Sequence, residues 1–379
     1  MIKGRGTFGL LVILIAFSTT GAAMGGLFGS NGMPAEWVER FGDVSKLNAY
    51  AMTHAVQLSS VTISGRDLTG VKLPEASFDD TRWKEVKFER GQLGRSHVRK
   101  SVLENVSFDY SVLTDVTFED SELRSTSFFR ARLVRVKFVR CKFNGVTIDE
   151  TIDSDVEIAN SRILSSSLSE GQLRATIKGS TIIDVEFTDL TSPSSLTFEN
   201  SELTEVDLSR STLSSVILKN VTSLKTGVRN GKIGKLEIEG GEVAFGLSES
   251  SIDVVTVRKA RIRSMSMDDA KIPELTMQDV VGTDNVGLYR AKIGVFTQER
   301  CALNDFRPRM ATIGRWLLKD SSLVNSKFEE MKVGELVFQD VTLGGKLVFK
   351  GAQAEHQQLS NIKKLEDLQL NIEGSNISF

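Results

Sequence analysis

The stretch Ser111–Arg140, SVLTDVTFEDSELRSTSFFRARLVRVKFVR, puts a large apolar residue at every fifth position: Leu113, Phe118, Leu123, Phe128, Leu133 and Phe138. A helix would repeat them every 3.6 residues and a strand every two. A period of five fits neither, so each apolar residue belongs to a short segment of its own, with a change of direction before the next. The rhythm runs unbroken from Leu58 through Trp83, Phe88, Val98 and Phe108 to Ile148. At a hydrophobic content of 40%, chance would give such a run about once in 10⁸ trials. It breaks at Asp153 and resumes from Ile158 to Leu173. It slips near Lys178, then returns from Phe198 to Leu218 and from Val228 to Val243. Val257, Ile262, Met267, Ile272 and Met277 run one residue out of phase, before the first phase returns at Leu288, Ile293 and from Ile313 to Val348.

The residue two places before each centre also points inward and is often small, as at Ala76, Ser101, Ser111, Ser121, Ala131 and Cys141. In period and core pattern the chain resembles the pentapeptide repeat family, although the Asp or Asn that usually precedes the centre is largely missing; Asp67 is an exception. The resemblance covers roughly residues 58–348. It implies an all-β fold, a right-handed quadrilateral β-helix, with one pentapeptide per face and about 20 residues per coil. The charges test this independently. Facing charges on neighbouring strands should be opposite. Among charged pairs starting between Arg66 and Lys142, those 20 residues apart comprise 15 opposite and 2 alike, whereas 15 apart gives 12 and 4, and 10 apart gives 7 and 7. Alternating columns result, such as Asp80, Lys100, Asp120 and Arg140, or Glu75, Arg95, Asp115, Arg135 and Asp155. About 14 coils at the strand spacing would make a rod roughly 70 Å long.

Outside the repeat, three segments are expected. Residues 1–26 carry Lys3 and Arg5, an uncharged apolar run from Phe8 to Phe17 and then small residues. That is the build of a secretory signal peptide; residues 7–28 are also long enough for a membrane anchor. Either reading exports the body. Residues 27–57 read as a linker and capping helix, opened by Pro34, with Trp37, Val38, Phe41, Val44, Leu47 and Ala51 at helical spacing. Residues 58–350 form the β-helix, regular to about 173 and irregular after. Residues 351–379 have no clear period and read as a C-terminal cap or tail.

Net charge is −2, so no overall field draws the chain to nucleic acid. Cys141 and Cys301 make no disulfide framework and read as buried thiols. The three histidines, His54, His97 and His356, stand apart from one another, and no phosphate, zinc or nucleophile motif is present. No catalytic residue, cofactor or metal is expected. Arg130, Arg132, Arg135, Lys137, Arg140 and Lys142 form a candidate basic patch or, spread over a coil, a salt-paired ladder. Residues 298–312, with Pro308, are expected to form a protruding loop. Gln298, Glu299, Arg300, Asn304, Asp305, Arg307 and Arg309 are the candidate partner-binding residues there. The resulting expectation is an exported, non-catalytic structural scaffold that binds an unidentified protein partner. Two alternatives remain. The first is a DNA-mimicking, gyrase-binding member of the family. The second is a β-helical polysaccharide-active enzyme with paired carboxylates.

Overall fold

The computed structural model describes residues 33–379. The signal-peptide or anchor segment therefore lies outside the described residues, as does the start of the linker. Among the described residues, no helix is long and apolar enough to cross a membrane.

The chain winds into a parallel β-solenoid of about 16 turns. One face is a sheet of 16 strands running from Val56–Ser59 to Gln353–Ser360. Successive coils pair at a spacing of 20 residues, as in Leu58↔Phe78, Leu113↔Leu133, Phe118↔Phe138 and Ile313↔Val333. The expected register is the observed one. The coil count exceeds 14 because the 353–371 segment, beyond the expected repeat, supplies strands of its own. Backbone hydrogen bonds join each coil to the next, for example Phe88 N–H to Ser107 O at 2.6 Å and Arg95 N–H to Thr114 O at 2.9 Å. Corners fall at every fifth residue. Arg95, Lys100, Asn105, Tyr110, Asp115 and Asp120 each turn the chain with φ between 42° and 59°. Asp80, Lys100, Asp120 and Arg140 of one charged column, and Arg95, Asp115 and Arg135 of the other, thus stand on left-handed corner residues.

The two interruptions of rhythm have one cause. Ser154 pairs with Leu173, a coil of 19 residues, and Arg174 pairs with Ser195, a coil of 21. Lys232 pairs with Ser251 and Lys271 with Lys292, again 19 and then 21. The block Val257–Met277 is out of phase because it lies between a lost and a regained residue. At the first break, Ile152 and Asp153 turn outward and Ser154 takes the inward place. Asp153 is then positioned to bridge Arg132 at 3.3 Å and Arg174 at 3.0 Å.

The interior is a stack of side chains. Phe108 is 1% exposed and lies between Phe88 and Phe128, with ring centroids 5.4 and 5.0 Å away. Phe118 stacks on Phe138 at 4.9 Å on the opposing column, where Val98 separates it from Phe78. The small inward positions form a second ladder, of hydroxyls. Ser101 N–H donates to Ser121 Oγ at 3.1 Å, Cys141 N–H to Ser161 Oγ at 2.9 Å, and Ser161 N–H to Ser180 Oγ at 3.1 Å. Each serine also donates to the carbonyl two residues before it, as Ser121 does to Glu119 O at 2.8 Å. Smallness at this position therefore serves hydrogen bonding as well as fit. Cys141 and Cys301 are buried free thiols.

The single amphipathic helix expected after Pro34 is two helices, α1 (Ala35–Arg40) and α2 (Val44–Ala51). Phe41, Gly42 and Asp43 separate them, because the Asp43 carboxylate caps α2, accepting from Ser45 N–H at 2.9 Å and Lys46 N–H at 3.2 Å. Trp37, Phe41, Leu47 and Ala51 are buried. Asn48 of α2 accepts from Lys72 N–H at 2.6 Å and donates to Gly70 O at 3.3 Å, so the helix satisfies backbone groups of the first coils. At the other end, Gln353–Ser360 forms a further strand rather than an aperiodic tail. Ile377 and Phe379 fold back, the Phe379 ring lying 4.9 Å from Phe349.

Candidate functional site

The segment 298–312 does not protrude. Lys292–Glu299 pairs with Thr312–Lys319 in the 20-residue register, and Ala302–Asn304 pairs with Ser322–Val324. It is a full coil. Gln298 occupies a core position and is 0% exposed. Its Oε1 accepts from Trp316 Nε1 at 2.8 Å, so a buried polar side chain is satisfied there by an indole that also needs a partner. Gln298 therefore presents nothing to a partner. Pro308 fills another inward position, where an apolar ring serves as well as Leu or Phe. The surface members are engaged within the chain. Arg300 pairs with Asp279 at 2.6 Å and with Glu299 at 2.5 Å, Arg307 with Asp305 at 2.5 Å, and Arg309 with Glu329 at 3.5 Å. Asn304 donates to Thr283 O at 3.1 Å.

The six basic residues between 130 and 142 are spread over the coil and are mostly paired. Arg130 donates to Glu150 at 2.6 Å, Arg132 to Asp153 at 3.3 Å, Arg135 to Asp115 at 2.6 Å and Arg140 to Asp120 at 2.6 Å. Lys137 lies 3.1 Å from Glu157. Lys142 stands over Glu122, which Arg124 already holds at 2.8 Å. These contacts hold the carboxyls of Asp115, Asp120 and Asp153 below the usual range, the arginine hydrogen bond being the main cause in each. The arrangement is a charge ladder along the rod.

A concave site lies elsewhere. On one face, Gly227 pairs with Gly246, Gly246 with Ser266 and Ser266 with Gly287. Four successive coils thus carry almost no outward side chain in one column. The result is a groove of about 880 Å³. Its length over those coils is about 14 Å at the strand spacing. A Cβ on Gly227 would approach Gly246 O to 2.8 Å, whereas one on Gly246 would meet nothing within 4 Å. Glycine is forced by the backbone at the first position and leaves open space at the second.

The walls are polar and mostly acidic: Glu205, Asp207, Glu249, Asp268 and Asp269 against Lys225 and Arg229. Lys225 is held by Glu205 at 2.6 Å and Arg229 by Glu249 at 2.8 Å. Asp269 pairs with Arg290 at 2.6 Å. Asp207 accepts from Ser209 N–H at 2.9 Å and Asp268 from Tyr289 N–H at 3.2 Å. Neither meets a cation within ion-pair distance among the described residues. Both are half-buried. Beneath the floor, the buried hydroxyls of Ser266 and Thr226 have no hydrogen-bond partner among the described residues. Sequence reasoning missed this groove. The available signal was glycine at outward repeat positions.

No family model matches the chain, and no curated protein matches it. Among solved structures, HetL, a pentapeptide repeat protein involved in heterocyst differentiation regulation in the cyanobacterium Nostoc sp., is 11% identical, over 87% of this chain and 92% of that one, with a TM-score of 0.19. QnrB1, a plasmid-mediated fluoroquinolone resistance protein, is 13% identical over 58% of this chain and 92% of its own, with a TM-score of 0.29. The periplasmic alginate epimerase AlgG is 10% identical over 87% and 88%, with a TM-score of 0.23. These values carry nothing about activity. The five-residue rhythm, the 20-residue register and the packed columns give the chain the architecture of a pentapeptide-repeat solenoid.

Proposed function

We propose that this protein is an exported, non-catalytic scaffold whose rigid rod presents a patterned surface to another protein. The observation that supports this most is the continuity of the body. Coil-to-coil hydrogen bonds and stacked core columns run from the first strands to the last. Such a body has little freedom to close over a substrate and is suited to docking on a preformed surface. The polar groove between residues 205 and 285 supports docking from outside. Export is supported by the composition of residues 1–26. The test is proximity cross-linking in the native host, followed by fractionation and N-terminal sequencing of the mature chain. The expected result is a processed protein in the exported fraction with a discrete cross-linked protein partner. A chain found wholly in the cytoplasm, or one with no cross-linked partner at saturating reagent, overturns the reading.

A further inference from the structure

We infer that the groove floored by Gly227, Gly246, Ser266 and Gly287 binds an extended peptide segment bearing two basic side chains four residues apart. The inference rests on the scaffold reading and names the partner chemistry for that surface.

Charge selects the sign of the occupant. Within the groove, Lys225 and Arg229 are neutralised by Glu205 and Glu249, and Asp269 by Arg290 outside it. Asp207 and Asp268 remain, each hydrogen-bonded to neutral groups and neither paired with a cation among the described residues. Two half-buried carboxylates facing a groove favour a cationic ligand, since partial burial reduces the screening of an incoming charge.

Spacing selects its shape. Asp207 lies one coil before Gly227, at the lower end of the floor column, and Asp268 lies two residues after Ser266. Three coil steps separate them, about 14 Å along the axis. An extended chain advances about 3.3 Å per residue, so residues i and i+4 lie about 13 Å apart. They also project from the same side. A lysine or arginine pair at that spacing reaches both carboxylates at once. The floor lets a backbone approach closely, because its column has glycines where other columns carry long charged residues.

The test is fluorescence polarisation of the full chain with a fluorescein-labelled Gly-Ser peptide carrying two lysines four positions apart. Three variants of the chain are compared: Asp207→Asn, Asp268→Asn and Gly246→Leu. The last fills the groove where a Cβ meets nothing within 4 Å, so the fold should persist, which circular dichroism checks. Saturable binding at low salt is expected, weakened about fivefold by each Asn variant and abolished by Gly246→Leu. A peptide with its lysines adjacent should bind more weakly, and one with two glutamates not at all. Equal binding by wild type and all three variants overturns the inference, as does the absence of saturable binding. Displacement of the label by a neutral oligosaccharide without dependence on Asp207 overturns it in favour of a carbohydrate. If Gly246→Leu keeps every partner that cross-links to the wild type, the groove assignment falls while the scaffold reading stands.

Discussion

Replacing Ser121 by Ala tests the hydroxyl ladder inside the rod. Ser121 is 2% exposed. Its oxygen accepts from Ser101 N–H at 3.1 Å and donates to Glu119 O at 2.8 Å. Alanine keeps the inward shape and leaves Ser101 N–H buried without a partner. An unmet buried donor costs about 1–3 kcal/mol. In a solenoid each coil contacts only its neighbours, so the loss should be felt locally before it is felt globally. Hydrogen exchange measured by mass spectrometry is therefore the sharper assay. The Ser101 amide should exchange about five- to 150-fold faster, the ratio that 1–3 kcal/mol gives. Ser77→Ala, on the exposed side of a strand, is the control. If Ser101 protection in Ser121→Ala stays at the control's level, the ladder is geometry without energy and the reasoning fails.

Phe108→Ala should destabilise by about 3–5 kcal/mol, read by urea unfolding, since the ring is fully enclosed between Phe88 and Phe128; a smaller loss than Leu113→Ala would count against the stacked column. Cys141→Ser should complete the hydroxyl ladder and slow exchange of the Ser121 amide, which faces the thiol; burial pushes that thiol up to about 11, so the wild-type cysteine should resist alkylation until the chain is unfolded. Reversing Asp115 and Asp120 to Arg would stack like charges under Arg95, Arg135, Lys100 and Arg140, and should lower the melting temperature at low salt with recovery at high salt; no loss at low salt sinks the ladder. Acid should weaken the fold in one direction only. The folded carboxyls of Asp115, Asp120 and Asp153 titrate below their unfolded value. Their contribution is therefore present above about pH 4 and is lost as pH falls through the folded values. A melting temperature constant to about pH 2 would contradict it.

The coil was legible in the sequence because its determinants are local. A centre, an inward small residue and a corner recur within five residues, and cross-coil charges confirm the next level. What escaped was whatever the strict count concealed. Counting on by 20 from Gly227 lands on Leu247 and Met267, both buried centres. The true column is Gly227, Gly246, Ser266 and Gly287, reached through coils of 19, 20 and 21 residues. The groove is also made of absent side chains, which leave little trace in a pattern of apolar positions. The segment 298–312 failed for the opposite reason. A polar residue at a centre looks like a break, yet Gln298 is buried because Trp316, one coil on, supplies its partner. Asp43 likewise divided a helical pattern that periodicity alone kept whole.

The hydrogen bonds that join coil to coil have a mechanical consequence. They lie nearly along the rod, while the covalent chain runs around it. Squeezed from the side or end, the rod meets packed side chains and should be stiff. Pulled from its two ends, it offers only one coil's bonds at a time, loaded as a zipper is rather than in shear. Each coil released would yield about 70 Å of extended chain in place of about 5 Å of rod. The molecule is built to bear compression and to resist lateral load, and it would pay out under tension in steps of one coil.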